Sequence, residues 1–230
     1  MGANTSPAVM AQRNEAPNSL DDFPTPPWAT RALLEHVLGR RALVDRTVWE
    51  PAANRGYMVH PLQGYGADVR GSDIFDYGAG FPVFDFLGLA GAHLGFSSGA
   101  PPFPEVLSRG RVDWIITNPP FNCLNDWIRT ALAVTRIGIA MFARTQVLES
   151  LGRYESIFDP LITPPGCWSF SQFAERVPLQ KGRLVKDGTT ATAYGWLTIW
   201  QKPQEPEYLL GVRHIPRCRD ALERPGDYPE

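Results

Sequence analysis

Asn118-Pro119-Pro120-Phe121 is the run of this sequence whose residue types point most directly to chemistry. An amide side chain carries both an acceptor and a donor, two prolines stiffen the backbone beside it, and an aromatic ring follows. The residues before it, Val112, Trp114, Ile115 and Ile116, are β-branched or aromatic, which suits a buried strand, while Pro119 and Pro120 can neither donate to a sheet nor continue it. Asn118 therefore stands where a strand stops. In open α/β sheets ligands collect outside the carboxyl ends of the strands, so this amide is placed to bind.

The elements that must position it follow from the rest of the chain. Residues 1–20 mix Ala, Asn, Ser, Pro and charge without periodicity and read as a flexible leader. Trp28, Ala32, Leu33, Val37 and Leu38 have helical spacing, with Thr25 as the expected cap and Gly39 as the stop. A short strand over 46–51 ends at Pro51. A small-residue turn over 52–56, a helix over 57–62 that contains Pro61, and a second strand over 68–74 then complete a βαβ unit. Residues 77–104 are rich in Gly, Pro and Phe, and within them only 83–87 resembles an element. Leu124, Trp127, Ile128, Ala131 and Leu132 mark an amphipathic helix, capped by Asn122 or Asn125, and 138–144 forms another buried strand of the same parallel sheet. Two β-rich runs, 168–177 and 190–200, make a long-looped hairpin expected at the sheet edge. Beyond Pro203 the chain turns Pro-, Glu- and Arg-rich and reads as a loosely packed tail.

Four strand ends thus carry polar groups in order: Glu50, Asp73, Asp85 and Asn118. Each acid alone reads equally as a solvated loop charge, and it is their order along one rim that carries weight. Glu50 precedes a turn of small residues that admits close approach to the backbone, and a carboxylate such as Asp73 at the end of the next strand is placed to accept both hydroxyls of a ribose. The turn has a single glycine, Gly56, without dinucleotide spacing, and the chain has no Gly-Lys-Ser or Gly-Lys-Thr, so a nucleoside without phosphates is the better fit.

Composition narrows the partners. The 230 residues suit one domain, 43% hydrophobic content fits a globular protein, and a net charge of -2 means that a nucleic-acid partner must be held by a local patch. Arg176 and, on the polar hairpin loop over 180–188, Lys181, Arg183 and Lys186 are the candidates for such a phosphate-contacting patch, and the same charges read equally as a solvated hairpin tip. The three cysteines are scattered, without metal-ligand spacing among them or the four histidines, which predicts a reducing, cytoplasmic setting and no metal site. No run approaches the length of a membrane span.

With these residues in place, the chain from about Phe23 to Lys202 resembles the S-adenosylmethionine-dependent amino-methyltransferases, specifically the DNA adenine-N6 methyltransferases. Phe23-Pro24-Thr25-Pro26 looks like that family's N-terminal cofactor motif, the stretch from Glu50 to Gly56, with Ala52 and Asn54, like its glycine loop, and Asp73-Ile74 like its ribose acid and the residue after it. Asp85-Phe86 looks like its adenine-contacting pair, and Asn118 to Phe121 like its catalytic motif. Arg153-Tyr154, residues 173–178 and residues 190–194 are similar to small phage-type members. The resemblance implies a single-domain Rossmann-like methyltransferase fold: a mostly parallel seven-stranded sheet with an antiparallel hairpin edge. It divides the chain into a leader (1–20), a catalytic domain (21–202) and a tail (203–230). It also implies S-adenosyl-L-methionine as cofactor and double-stranded DNA, with the adenine flipped out, as substrate. Two departures stand out: Asn54 replaces the loop's usual first glycine and is expected to crowd the cofactor, and only 151–186 is available for target recognition. The runner-up activity is glutamine N5 methylation in proteins, where an amide nitrogen poses the same problem as an exocyclic amine, although that motif usually ends in Tyr. A third reading is a cofactor-binding protein of this fold without turnover.

Overall fold

The computed structural model describes residues 21–91, 107, 110–188, 190–205 and 211–229, so the leader expected over 1–20 and residues 92–104 of the stretch read as irregular lie outside the described residues. Seven strands form one sheet: β1 (Thr47–Glu50), β2 (Asp68–Gly71), β3 (Val112–Thr117), β4 (Thr135–Arg144), β5 (Trp168–Phe173), β6 (Tyr194–Trp200) and β7 (Val212–Ile215). Their order is β2-β1-β3-β4-β6-β5-β7. β1 to β4 run parallel, β6 is antiparallel to both β4 and β5, and β7 is parallel to β5. The helices are α1 (Pro27–Leu33), continued by a wider π-type turn over Leu34–Leu38, α2 (Val59–Gln63), α3 (Gly88–Gly91), α4 (Leu124–Val134), α5 (Leu151–Arg153) and α6 (Arg219–Leu222).

The central strands are apolar on both faces, as a parallel sheet covered on both sides requires. Val48, Trp114, Ile116, Ala140, Phe142 and Trp196 pack with α1 and α2 on one face. Trp49, Ile115, Ile139, Met141 and Leu197 pack with Trp127, Ile128 and Ala131 of α4 on the other. Pro61 is accommodated because it is the third residue of α2, where the missing N–H has no helical acceptor in any case.

Several expectations are corrected. Thr25 does not cap α1: the helix starts after Pro26 with prolines in its first turn and no side-chain cap bond. Neither Asn122 nor Asn125 caps α4, because a 3-10 turn over Phe121–Cys123 leads in and Cys123 takes the cap position. The element expected at 83–87 shrinks to one parallel bridge between Val83 and Asp73. The hairpin is not the sheet edge, since β7 adds a strand outside β5. Nor are residues 211–229, the greater part of the expected tail, loose. Asp227 forms a bidentate ion pair with Arg31 of α1, both bonds at 2.6 Å and both side chains buried, and Arg31 also donates to the Leu222 carbonyl. Removing one partner of such a pair costs about 3–5 kcal/mol, because the other charge stays buried alone. Composition favoured a tail, but one long-range pairing outweighs it.

Candidate active site

From β1 the chain crosses to β2 on one side, while β3 lies on the other, so the loops leaving β1 and β3 part at the carboxyl edge of the sheet. A cleft of about 260 Å³ opens there. Residues 51–54 after β1, Asp73 and Ile74 after β2, residues 84–87, and Asn118 and Pro120 after β3 line it, together with Trp127 of α4 and the segment carrying Asp21, Phe23, Pro24 and Thr25.

The Nδ2 of Asn118 donates to the Phe23 carbonyl at 2.8 Å. A carbonyl only accepts, so this contact fixes the amide with its nitrogen on Phe23 and its oxygen turned elsewhere. That Oδ1 is buried and has no hydrogen-bond partner, an arrangement that costs about 1–3 kcal/mol unless something fills it. The hydroxyl of Thr25 is a second buried oxygen on the cleft wall without a partner.

Asp73 accepts from the Asn54 N–H at 2.8 Å and from the Phe75 N–H at 3.1 Å, which holds the loops after β1 and β2 together. Burial pushes its carboxyl above the usual range, against those backbone donors. Asn54 sits at φ +50°, the left-handed conformation that asparagine tolerates. Its side chain, at the cleft wall, is engaged by its neighbours. Nδ2 donates to Asp22 at 2.7 Å and Oδ1 accepts from the backbone and the guanidinium of Arg55, which itself pairs with Asp22 and lies 4.7 Å over the Tyr77 ring. Asn54 thus clips the N-terminal segment onto the loop after β1.

Glu50 stands behind the wall rather than on it. It is fully buried, and its Oε1 accepts from the Thr117 hydroxyl at 2.6 Å and the Ala52 N–H at 3.0 Å. Burial, and secondarily the charge of Asp73, pushes its carboxyl up to about 8, although both hydrogen bonds oppose the shift. Gly56 also lies off the cleft. It turns the backbone at φ +86°, and a Cβ there would meet His60 at 3.0 Å and the Phe81 ring at 3.2 Å.

No protein-family model and no curated protein matches this sequence. Among solved structures, the chain is similar to a Vibrio vulnificus protein assigned as the modification subunit of a type I restriction enzyme, with a TM-score of 0.51 and 15% identity over 79% of this chain and 45% of that one. It is similar to a Pyrococcus horikoshii protein assigned as an RNA methyltransferase, with a TM-score of 0.51 and 15% identity over 86% of this chain and 96% of that one. The fold is that of the Rossmann-like methyltransferases. The chain spans less than half the length of the Vibrio subunit.

Within the methyltransferase fold, the residues singled out by sequence fall into two sets. Phe23, Thr25, Ala52, Asn54, Asp73, Ile74, Asp85, Phe86, Asn118 and Pro120 share the cleft. Glu50, Gly56, Pro119 and Phe121 do not line it. The Phe121 ring instead meets the Arg144 guanidinium at 4.4 Å and Tyr194 at 6.3 Å, and its N–H donates to Asp21 at 2.9 Å. Phe86 packs edge-on to Trp49 and at 4.5 Å from Trp127, so its ring is wall and core at once. Sequence reading missed Asp21 and Asp22, which lay beside a motif already recognised, and Arg144, which ends β4 as Asn118 follows β3. Among the described residues no group of three His, Cys, Asp or Glu could hold a metal ion, and no helix is long and apolar enough to cross a membrane.

Proposed function

We propose that this protein transfers a methyl group from S-adenosylmethionine to the exocyclic N6 amine of adenine in DNA. The observation that carries the reading is the buried, unpaired Oδ1 of Asn118, locked in place by the Phe23 carbonyl at the rim of a nucleoside-sized cleft.

The cleft suits the cofactor. In this reading Asp73 accepts ribose hydroxyls, Ile74, Phe86 and Asp85 flank the adenine ring, the Thr25 hydroxyl bonds a polar group of the amino-acid portion, and Ala52 is the small residue that lets the cofactor approach; the support is that all of them line the cleft and that the Thr25 hydroxyl has no partner of its own. When bound, the cofactor supplies an activated methyl on a sulfonium, which becomes neutral on transfer. The chain's own residues prepare the acceptor. An adenine amine is a poor nucleophile because its lone pair is delocalised into the ring. Asn118 Oδ1 accepts one amine hydrogen and the Pro119 carbonyl the other, which holds the nitrogen where it becomes tetrahedral, and Phe121 offers a face to the flipped base.

DNA as the substrate class is supported by the basic loop. Gly182 donates to the Asp22 carbonyl at 2.8 Å, which fastens the loop carrying Arg176, Lys181, Arg183 and Lys186 beside the N-terminal segment at the cleft. The type I modification subunit among the similar folds agrees with this choice. Three free cysteines accord with a cytoplasmic setting. The deciding experiment is transfer of labelled methyl to double-stranded DNA, followed by digestion and nucleoside identification. N6-methyldeoxyadenosine is expected. Label in RNA, in protein glutamine or nowhere would overturn the proposal.

A further inference from the structure

Outside the cleft, the strand next to the catalytic motif also ends in polar groups that nothing satisfies. Thr117 of β3 pairs in register with Met141 of β4, so Asn118-Pro119-Pro120 and Phe142-Ala143-Arg144 leave that pair on neighbouring paths. Arg144 lies 4.4 Å over the Phe121 ring. Its partner across the sheet, Tyr194, stacks on Phe142 at 5.2 Å and 18° and is 6.3 Å from Phe121. The result is a wall of aromatic rings with one cation laid on it.

Two side-chain atoms here are buried and without a hydrogen-bond partner: Nε of Arg144 and Oγ1 of the adjacent Thr145. The Thr145 backbone is not in want, since its N–H reaches the Ala193 carbonyl at 3.0 Å. Among the described residues no carboxylate pairs with Arg144, whereas Arg31, Arg55, Arg136 and Arg219 each have one. A guanidinium has five donors and no acceptor, and the Arg144 side chain is half-buried with no carboxylate beside it among the described residues, so its outer N–H groups are left to meet an acceptor brought from outside.

We infer that Arg144 and Thr145 form a substrate subsite that binds a hydrogen-bond acceptor on the nucleotide carrying the target base. This deepens the DNA reading and rests on it. The acceptor is a phosphate oxygen or a ring nitrogen of the base. Both offer a lone pair to a planar donor, and both are within the chemistry of a nucleotide seated on Phe121. Arg144 is thus a recognition residue, distinct from Asn118, which meets the reacting amine.

The test uses the full chain with Arg144→Gln, Arg144→Lys and Thr145→Val, measuring KM and kcat on duplex DNA over a salt series and S-adenosylmethionine affinity by calorimetry. Arg144→Gln should raise KM for DNA roughly tenfold with cofactor affinity within about twofold, since a lost charge-assisted contact is of that order. If the acceptor is a phosphate, the log–log salt slope falls by about 1. If it is a ring nitrogen, the slope holds and replacing the target adenine with 7-deazaadenine weakens the parent but not the variant. Arg144→Lys keeps a cation that can reach a phosphate but loses the planar fork, so recovery of KM by lysine selects the phosphate and continued loss selects the ring nitrogen. Should Arg144→Gln fail to fold, Thr145→Val decides: a parent-like KM overturns it, a raised KM with unchanged melting temperature supports it. If the parent methylates DNA while the variants keep its KM, the subsite alone falls. If the parent methylates no DNA, the reading beneath it falls as well.

Discussion

On the β2 side of Asn118 most polar groups hold one another: Asp73 takes N–H groups from Asn54 and Phe75, Asn54 and Arg55 share Asp22, and Glu50 Oε1 is tied to Thr117 and Ala52, which leaves Glu50 Oε2 and the Thr25 hydroxyl as unpartnered oxygens there among the described residues. On the β4 side Arg144 Nε and Thr145 Oγ1 are buried with nothing to bond. Net gains of about 0.5–1.5 kcal/mol per hydrogen bond make the first side a pre-formed cradle, whereas each orphaned group on the second works against stability until a ligand arrives. A fold that must bind the same small molecule every cycle is served by a finished cradle. One that must admit a polymer is served by groups left waiting.

That contrast can be broken at its boundary, in Asn118. Asn118→Ala should lower kcat about a hundredfold or more, the scale of one lost oriented hydrogen bond at the reacting centre, with S-adenosylmethionine affinity nearly intact; single-turnover kinetics and calorimetry together check it. Asp73→Ala tests the cradle itself and should weaken cofactor binding by about 1–3 kcal/mol, and because Asp73 also secures Asn54 and Phe75 the variant should melt earlier. Unchanged calorimetric affinity would remove Asp73 from the site. Phe121 probes the other side. Phe121→Ala should lose activity on DNA by up to the 1–3 kcal/mol that base stacking is worth, roughly, while Phe121→Tyr and Phe121→Trp retain most of it and none of the three alters cofactor affinity.

The smallest effect concerns Glu50 and pH. Its carboxyl titrates near 8 in the folded chain against 4.5 for an ordinary glutamate, so the folded state holds the proton more tightly than the unfolded one. This contribution is fully present below about 4.5 and is lost as pH rises through about 8. Glu50→Gln keeps the Thr117 and Ala52 contacts and removes the proton, so its melting temperature should fall less than the parent's between pH 5 and 8. Identical pH profiles would show that Glu50 is ionised throughout.

Local pattern revealed much of this molecule. The apolar runs of β1, β3 and β4, the i, i+3, i+4 spacing of α4 and the β-rich pair at β5 and β6 each concern neighbouring residues, and each is where its pattern put it. What pattern could not show depends on distant partners. β7 exists because β5 has a free edge, and Asp227 is buried because Arg31 is there to meet it. Thr25, Asn122 and Asn125 have the composition of caps, but prolines and a 3-10 turn take over those helix starts. In the site, the expectation that strand ends gather at one rim puts Asp73 and Asn118 on the cleft, and Asp85 lies there too although the strand expected before it is only a bridge at Val83. The same rule applies to Arg144, which closes the apolar run of β4. Glu50 obeys the rule in position and departs from it in exposure, because Thr117 draws its carboxyl inward.

The ion pair between Arg31 and Asp227 sets the order in which the chain comes apart. Asp227 also accepts from the Arg224 N–H at 2.9 Å, so the turn around it is closed by the same carboxylate that grips α1. Terminal segments ordinarily exchange their amide hydrogens through local fraying, at little free energy. Here, releasing the last turn means stranding a guanidinium inside the protein, so the amides around Asp227 should exchange more slowly, toward the rate of the first helix. A pair this enclosed is barely screened by salt, so the slow exchange should persist at ionic strengths that dissolve the surface pairs.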